Sequence, residues 1–317
     1  MTTPGLDIGS LPGPDDITRV TLPNGITVLS RENFNSPAVV IDGTMRAGAI
    51  HEGRKRAGLA NFTASALMRG SERHEFDQIH EQIESVGARL QMGSGVHTAG
   101  FSGKCLAEDL DLLLHVAADV VRRPTFPEDH VDRLSGEIMT ALAVRGHDTR
   151  AMSSLAFYEE MYGCDHPYGY AIGGYHDTIR DISRERLVDF HKQHYGPGGM
   201  FLVIVGSVDA EEALALVEKH FGDWTDSGQA HRVLVPQAAR PQQAKFRKVP
   251  ISGKTQSDIV LGFLGPRRHD PDFQAVSLAN SILGVFGMYG RLGKNVRNKL
   301  GLAYYSFSRV DGSLGPG

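Results

Sequence analysis

The chain has 317 residues, 41% of them hydrophobic and 22% charged, with a formal net charge of −4. That length exceeds one typical core and predicts two domains, the composition is ordinary for a globular protein, and the acidic balance excludes a nucleic-acid binder that works by neutralising phosphates. No run of about 18 apolar residues occurs, so nothing in the sequence predicts a membrane span.

Residues 1–16 are polar and rich in Gly and Pro, lack the basic and apolar regions of a signal peptide, and predict a flexible tail. Residues 18–31 predict a hairpin, with alternating runs on either side of Pro23-Asn24-Gly25. A strand is expected over 38–46, then helices over 56–69 and 74–87, the second from the helical spacing of Phe76, Ile79, Ile83 and Val86. Strands follow near 89–94 and 97–104. An amphipathic helix over 107–122 buries Leu110, Leu113, Leu114 and Ala117 and stops before Pro124. Helices over 127–145, 149–162 and 183–194 lead to a buried strand at 201–208 and a helix at 209–221. The pattern is α+β, a mainly antiparallel sheet with helices on one face.

Residues 17–225 form the first domain in this reading, the polar, Pro- and Gln-rich stretch 226–248 a linker, and 249–317 part of a second domain. The second domain echoes the first. Gly58-Leu59-Ala60-Asn61 and Ser277-Leu278-Ala279-Asn280 each follow an apolar strand, VVIDGTM or IVLGFLG, at the same interval. On that echo residue 317 corresponds to about residue 98 of the first copy, so the second domain is expected to be truncated, after the strand AYYSFSRV. Cys105 and Cys164 are expected as free thiols of a reducing compartment. The location expected is therefore cytoplasmic, or periplasmic if a leader has been removed.

Residues 56–70, RAGLANFTASALMRG, carry the informative pattern. Together with LPNGITVLS, EQIESVGARL, HPYG at 166–169 and FLVIVGSVD, they resemble the pitrilysin family of zinc metallopeptidases, which includes insulin-degrading enzymes and the mitochondrial processing peptidase. In that family a helix reading G-L-A-H-F-L-E-H binds zinc through two His at i and i+4, and its Glu activates a water. The frame Gly58, Leu59, Ala60, Phe62, Leu67 and Gly70 is retained, while the chemical positions hold Asn61, Ala64 and Ser65. The resemblance places a third ligand, a Glu, about 76 residues past the second His, at Ala141, with Glu137 one turn earlier. Amide and hydroxyl oxygens are poor zinc donors, so no metal is expected in this chain and zinc is expected in a partner subunit.

The remaining histidines are expected to be structural or solvated. His191 and His194 lie at i and i+3, a spacing that can hold a metal when a carboxylate joins from elsewhere, but the resemblance makes this stretch, ending at Tyr195, a lead into the next strand. His74-Glu75 and His80-Glu81 have the wrong order for a zinc motif and are expected as solvated helix residues. His97 lies in a strand region that in the family borders the substrate groove.

Arg297 and Tyr304 are seven residues apart in R-N-K-L-G-L-A-Y. The resemblance implies that they hold the peptide and stabilise the tetrahedral oxyanion from the second domain, roles that suit a guanidinium and a phenol. The resemblance puts a substrate-handling loop of non-catalytic subunits at the short stretch GVFGMYG, with Gly287 and Gly290 as candidates; helix punctuation by Gly is the other reading. The function expected is therefore that of a non-catalytic subunit of a heteromeric metallopeptidase, which binds extended peptide by strand addition. A homodimer, a purely structural subunit and a stand-alone peptide-binding module are the other readings.

Overall fold

The computed structural model describes residues 13–225 and 233–317. Residues 1–12 of the expected tail and 226–232 of the expected linker lie outside them, and Pro14–Asp16 forms a single tight turn. The chain divides into two compact units, Met1–Gly146 with Ala171–Val233 and His147–Tyr170 with Leu234–Gly317.

The first unit is built on six strands: β1 (Thr18–Thr21), β2 (Thr27–Glu32), β3 (Ala38–Met45), β4 (Arg89–Ser94), β5 (Ala99–Leu106) and β6 (Phe201–Gly206). Their order is β1-β2-β6-β3-β5-β4. Only β2 and β6 run parallel; the other pairs are antiparallel. Asn24 fixes the hairpin that starts the sheet. Gly25 takes φ 93°, and the Asn24 amide donates to the carbonyls of Phe221, Gly222 and Trp224, the open end of a helix that follows β6.

Period-two alternation sorts the sheet faces. Val39, Ile41 and Met45 of β3 and Phe101 and Cys105 of β5 are buried under helices, whereas Val40 and Asp42 of β3 and Ser102 and Lys104 of β5 are exposed on the other face. The helical layer comprises α1 (Leu59–Ala66), α2 (Phe76–Ser85), α3 (Leu110–Arg122), α4 (Glu128–Gly146), α6 (His176–Arg180), α7 (Arg184–His194) and α8 (Ala210–Phe221), with α5 (Thr149–Tyr162) in the second unit. Helix α1 packs on β4 and β5 and against α4 and α7; α3 packs on β5 and α8. Leu110, Leu113, Leu114 and Ala117 are buried as their spacing predicts.

Several boundaries differ from expectation. Helix α1 begins at Leu59 rather than 56 because Gly58, at φ 101°, cannot continue a right-handed helix backwards. It tightens into a single turn at Leu67–Arg69 before Gly70. The short α6 was not foreseen: it carries too few apolar positions for a period to show.

In the second unit α5 and α9 (Phe273–Asn280) are regular helices, followed by wide helical turns at Ser281–Val285 and Gly293–Lys299. The strands expected at IVLGFLG and AYYSFSRV are corrected: neither segment forms a strand or has a ladder partner among the described residues. Ile259, Leu261 and Phe263 are 88%, 94% and 86% exposed. These segments contact α5 instead. The Asp258 carboxylate accepts from Thr149 and Tyr305 (2.5 and 2.9 Å), and Arg150 lies over the Tyr305 and Phe307 rings. The echoed helix is therefore present, but its preceding strand is not.

Candidate functional site

Helix α1 sets the first part of the site. Phe62, Thr63 and Ala64 are fully buried, while Asn61 and Ser65, one turn apart, are half-buried on a shared face. Ala141 on α4 is exposed and presents a methyl group, and Glu137 is paired with Arg69 at 2.6 Å. Among the described residues no group of three or more His, Cys, Asp or Glu side chains converges well enough to hold a metal ion. An amide, two methyls and a hydroxyl do not make a zinc donor set, so these residues do not fit the ion.

The N-terminus of α1 is held by a residue without a periodic signal. Glu52 is 2% exposed, and its two carboxylate oxygens accept from the amides of Gly58 (2.9 Å) and Ala60 (2.7 Å). This satisfies donors that a helix start leaves open. Burial pushes the Glu52 carboxyl up to about 8, against the opposing pull of these amides and of Arg56. A carboxyl raised in the fold stabilises it fully below the ordinary value of 4.5 and loses that contribution as pH rises through about 8. Glu52→Gln should therefore flatten the pH dependence of the melting temperature across that window; an unaltered slope in scanning calorimetry would contradict the assignment. Glu52→Ala, which strands two buried amides, should cost about 1–3 kcal/mol throughout.

The histidines of α7 are structural. His191 Nε2 donates to the Val121 carbonyl at 2.7 Å, and burial lowers its imidazole to about 4. His194 is lowered to about 4 by burial and by nearby His51 and Arg56, and its ring lies 4.4 Å from that of His51. His74 corrects an expectation. It precedes α2 rather than lying on it, and its Nδ1 meets Asp119 at 3.1 Å. The same Asp119 oxygen accepts from Ser71 at 2.5 Å. The hydroxyl donates to the carboxylate rather than to the imidazole, so these three residues form a strut between the α2 entry and α3, not a nucleophile with its base. His80 stays on the α2 surface, 3.9 Å from Glu84.

On the open sheet face a groove of about 310 Å³ crosses β4, β5 and β3. Gly93 and Gly100 are cross-strand partners and, with Thr44 beyond them, form a floor nearly free of side chains. A Cβ at Gly93 would meet nothing within 4 Å. Asp42, Ser102 and Gln91 make the adjoining row. His97 sits in the β4–β5 turn, half-buried, and the groove is lined there by its neighbours Gly95 and Thr98. Strand β4 ends the sheet, and its outer edge has no ladder partner among the described residues.

In the second unit the Arg297 guanidinium lies 4.6 Å over the Tyr304 ring, so the two residues singled out on the resemblance are in contact. Tyr304 is 80% exposed. The glycine segment is a close-packed turn. Gly287 takes φ 55°, and a Cβ at Gly290 would come within 3.2 Å of the Gly284 Cα, so the backbone approach itself requires Gly.

Residues 27–162 match the profile of insulinase (peptidase family M16), and residues 181–317 match that of the peptidase M16 inactive domain. An uncharacterised zinc protease of Mycobacterium leprae is 27% identical over 302 residues, covering 93% of this chain and 66% of that protein. A probable mitochondrial-processing peptidase subunit beta of Arabidopsis thaliana is 25% identical, over 89% of this chain and 53% of its own length. The crystal structure of a peptidase M16 inactive domain from Pseudomonas fluorescens superposes with a TM-score of 0.83 at 26% identity, covering 95% of this chain and 72% of that one. A protease from Helicobacter pylori shares the fold at a TM-score of 0.86 and 18% identity, covering 95% of this chain and 73% of that one. The chain thus spans just under two thirds of the length of the curated zinc-protease relatives it matches. Two consecutive family profiles, the retained frame around α1 and the mixed sheet under its helical layer agree: the chain belongs to the pitrilysin-type (M16) metallopeptidase family.

Proposed function

We propose that this chain is a non-catalytic subunit of a heteromeric zinc metallopeptidase. In this reading it binds extended peptide along the free edge of β4, where main-chain hydrogen bonds give affinity with loose sequence preference. It supplies Arg297 and Tyr304 to the active site of a zinc-bearing partner subunit of the same family. The observation that carries the reading is an asymmetry. The four positions of the metal half, Asn61, Ala64, Ser65 and Ala141, hold no zinc donor or general base, while Arg297 and Tyr304 are both present and adjacent.

The test is complementation. Purified chain with zinc should not cleave an internally quenched peptide, and co-purification with a zinc-bearing family subunit should give cleavage. Arg297→Ala in the pair should lower the rate by about 10²-fold, the scale of losing one oxyanion donor. Cleavage by the isolated chain at the rate of an intact family enzyme would overturn the proposal. Full activity of the pair after Arg297→Ala with Tyr304→Phe would instead make this chain a structural subunit.

A further inference from the structure

The open face of the sheet carries an uncompensated pair of cations at its edge. Arg89 on β4 and Lys104 on β5 are directly opposite each other in the ladder, and both are exposed. Like charges in that relation destabilise a sheet. Neither makes an ion pair within 4.0 Å among the described residues. On β3, Lys104 faces Val40, which faces Val205 of β6, so the row offers no carboxylate. The nearest acid on this face is Asp42, one row along; it pairs with Ser102 and accepts from Thr44 at 3.1 Å.

We infer that Arg89 and Lys104 form a specificity subsite for an acidic side chain of an extended peptide added to the β4 edge. The inference rests on the peptide-binding reading above. A strand added there lies about 4.8 Å from β4, so every second side chain projects onto the open face. An Asp or Glu opposite Arg89 meets it as a cross-strand partner, and Lys104, about 10 Å away, closes the distance with its long side chain. The bound acid adds an opposite charge beside the two cations and so offsets part of their mutual repulsion. Two residues along β4 the facing side chain is Gln91, and two further is Gly93 with its open floor, so neither position opposes a different choice there.

The full chain would be titrated by fluorescence anisotropy with labelled peptides of about ten residues. The peptides are identical except for one central Glu, Gln or Lys. The Glu peptide should bind about fivefold tighter than the Gln peptide at low ionic strength, with the Lys peptide weakest and the spread shrinking as salt rises. The double variant Arg89→Glu, Lys104→Glu should invert the order. Arg89→Gln, Lys104→Gln, which only removes repulsion and so folds at least as well as the parent, should abolish it. Equal binding of the three peptides, or an order that survives both variants, overturns the subsite and leaves strand addition standing. Failure of all three to bind removes the peptide-binding reading and the subsite with it, and marks the cations as guards of a bare edge.

Discussion

The variant Asn61→His, Ser65→His, Ala141→Glu should take up one zinc ion per molecule where the parent chain takes up none. Helix α1 keeps positions 61 and 65 one turn apart on the half-buried face, and α4, which carries position 141, packs against α1. Two imidazoles at i and i+4 with a carboxylate from a second helix complete a three-ligand set with an open position. The change is large because the parent groups contribute almost nothing, whereas a complete set of zinc ligands is worth on the order of 10 kcal/mol. Titration calorimetry with a competing chelator would measure it. A variant that melts like the parent yet binds no zinc would show that these positions do not converge, and the asymmetry on which the subunit proposal rests would lose its structural basis.

Period and turn chemistry made much of the fold legible in the sequence. The hairpin around Asn24-Gly25, strands β3 to β6 and helices α3, α5 and α8 arise from local patterns that tertiary packing did not override. The contacts that place α1 could not be found that way. Glu52 stands in a loop, and its amide partners are known only once that loop folds back. Ser71 and Asp119 are 48 residues apart, and nothing in either neighbourhood announces the other. The apolar run at 259–263 and its echo of the first domain predicted a strand that does not form among the described residues, because an apolar run does not supply the neighbour that must pair with it.

At the site, spacing accounts for the contact of Arg297 with Tyr304 across a wide turn, not for the role that the resemblance implies. It failed for His74, whose role depends on a buried carboxylate from α3. The free edge of β4 and the opposition of Arg89 and Lys104 needed the register, since a shift of one residue would send both cations to the helical face.

Gly58→Val should destabilise the first unit by roughly 3–5 kcal/mol, whereas Asn61→Ala and Ser65→Ala should each change stability by no more than about 0.5 kcal/mol. Gly58 sits at φ 101°, where a β-branched residue is a genuine outlier. A Cβ there would come within 2.6 Å of Ile179 Cδ1 and 3.0 Å of the Gly174 Cα. The obstacle is backbone on one side, and Gly174 is itself closely confined: it sits at φ 75°, and a Cβ built there would come within 2.5 Å of the Ala57 carbonyl oxygen. Denaturant unfolding would separate the two classes. Comparable losses at Gly58 and Asn61 would mean that position 61 has acquired a structural or binding role. The expected contrast follows from where the frame Gly58, Leu59, Ala60, Phe62 and Leu67 lies. These residues are buried and seat α1 on the sheet. Of the metal positions, Asn61 and Ser65 are half-buried and Ala141 is exposed, so these three can change at little cost to the fold, whereas Ala64 is buried and belongs to the packing.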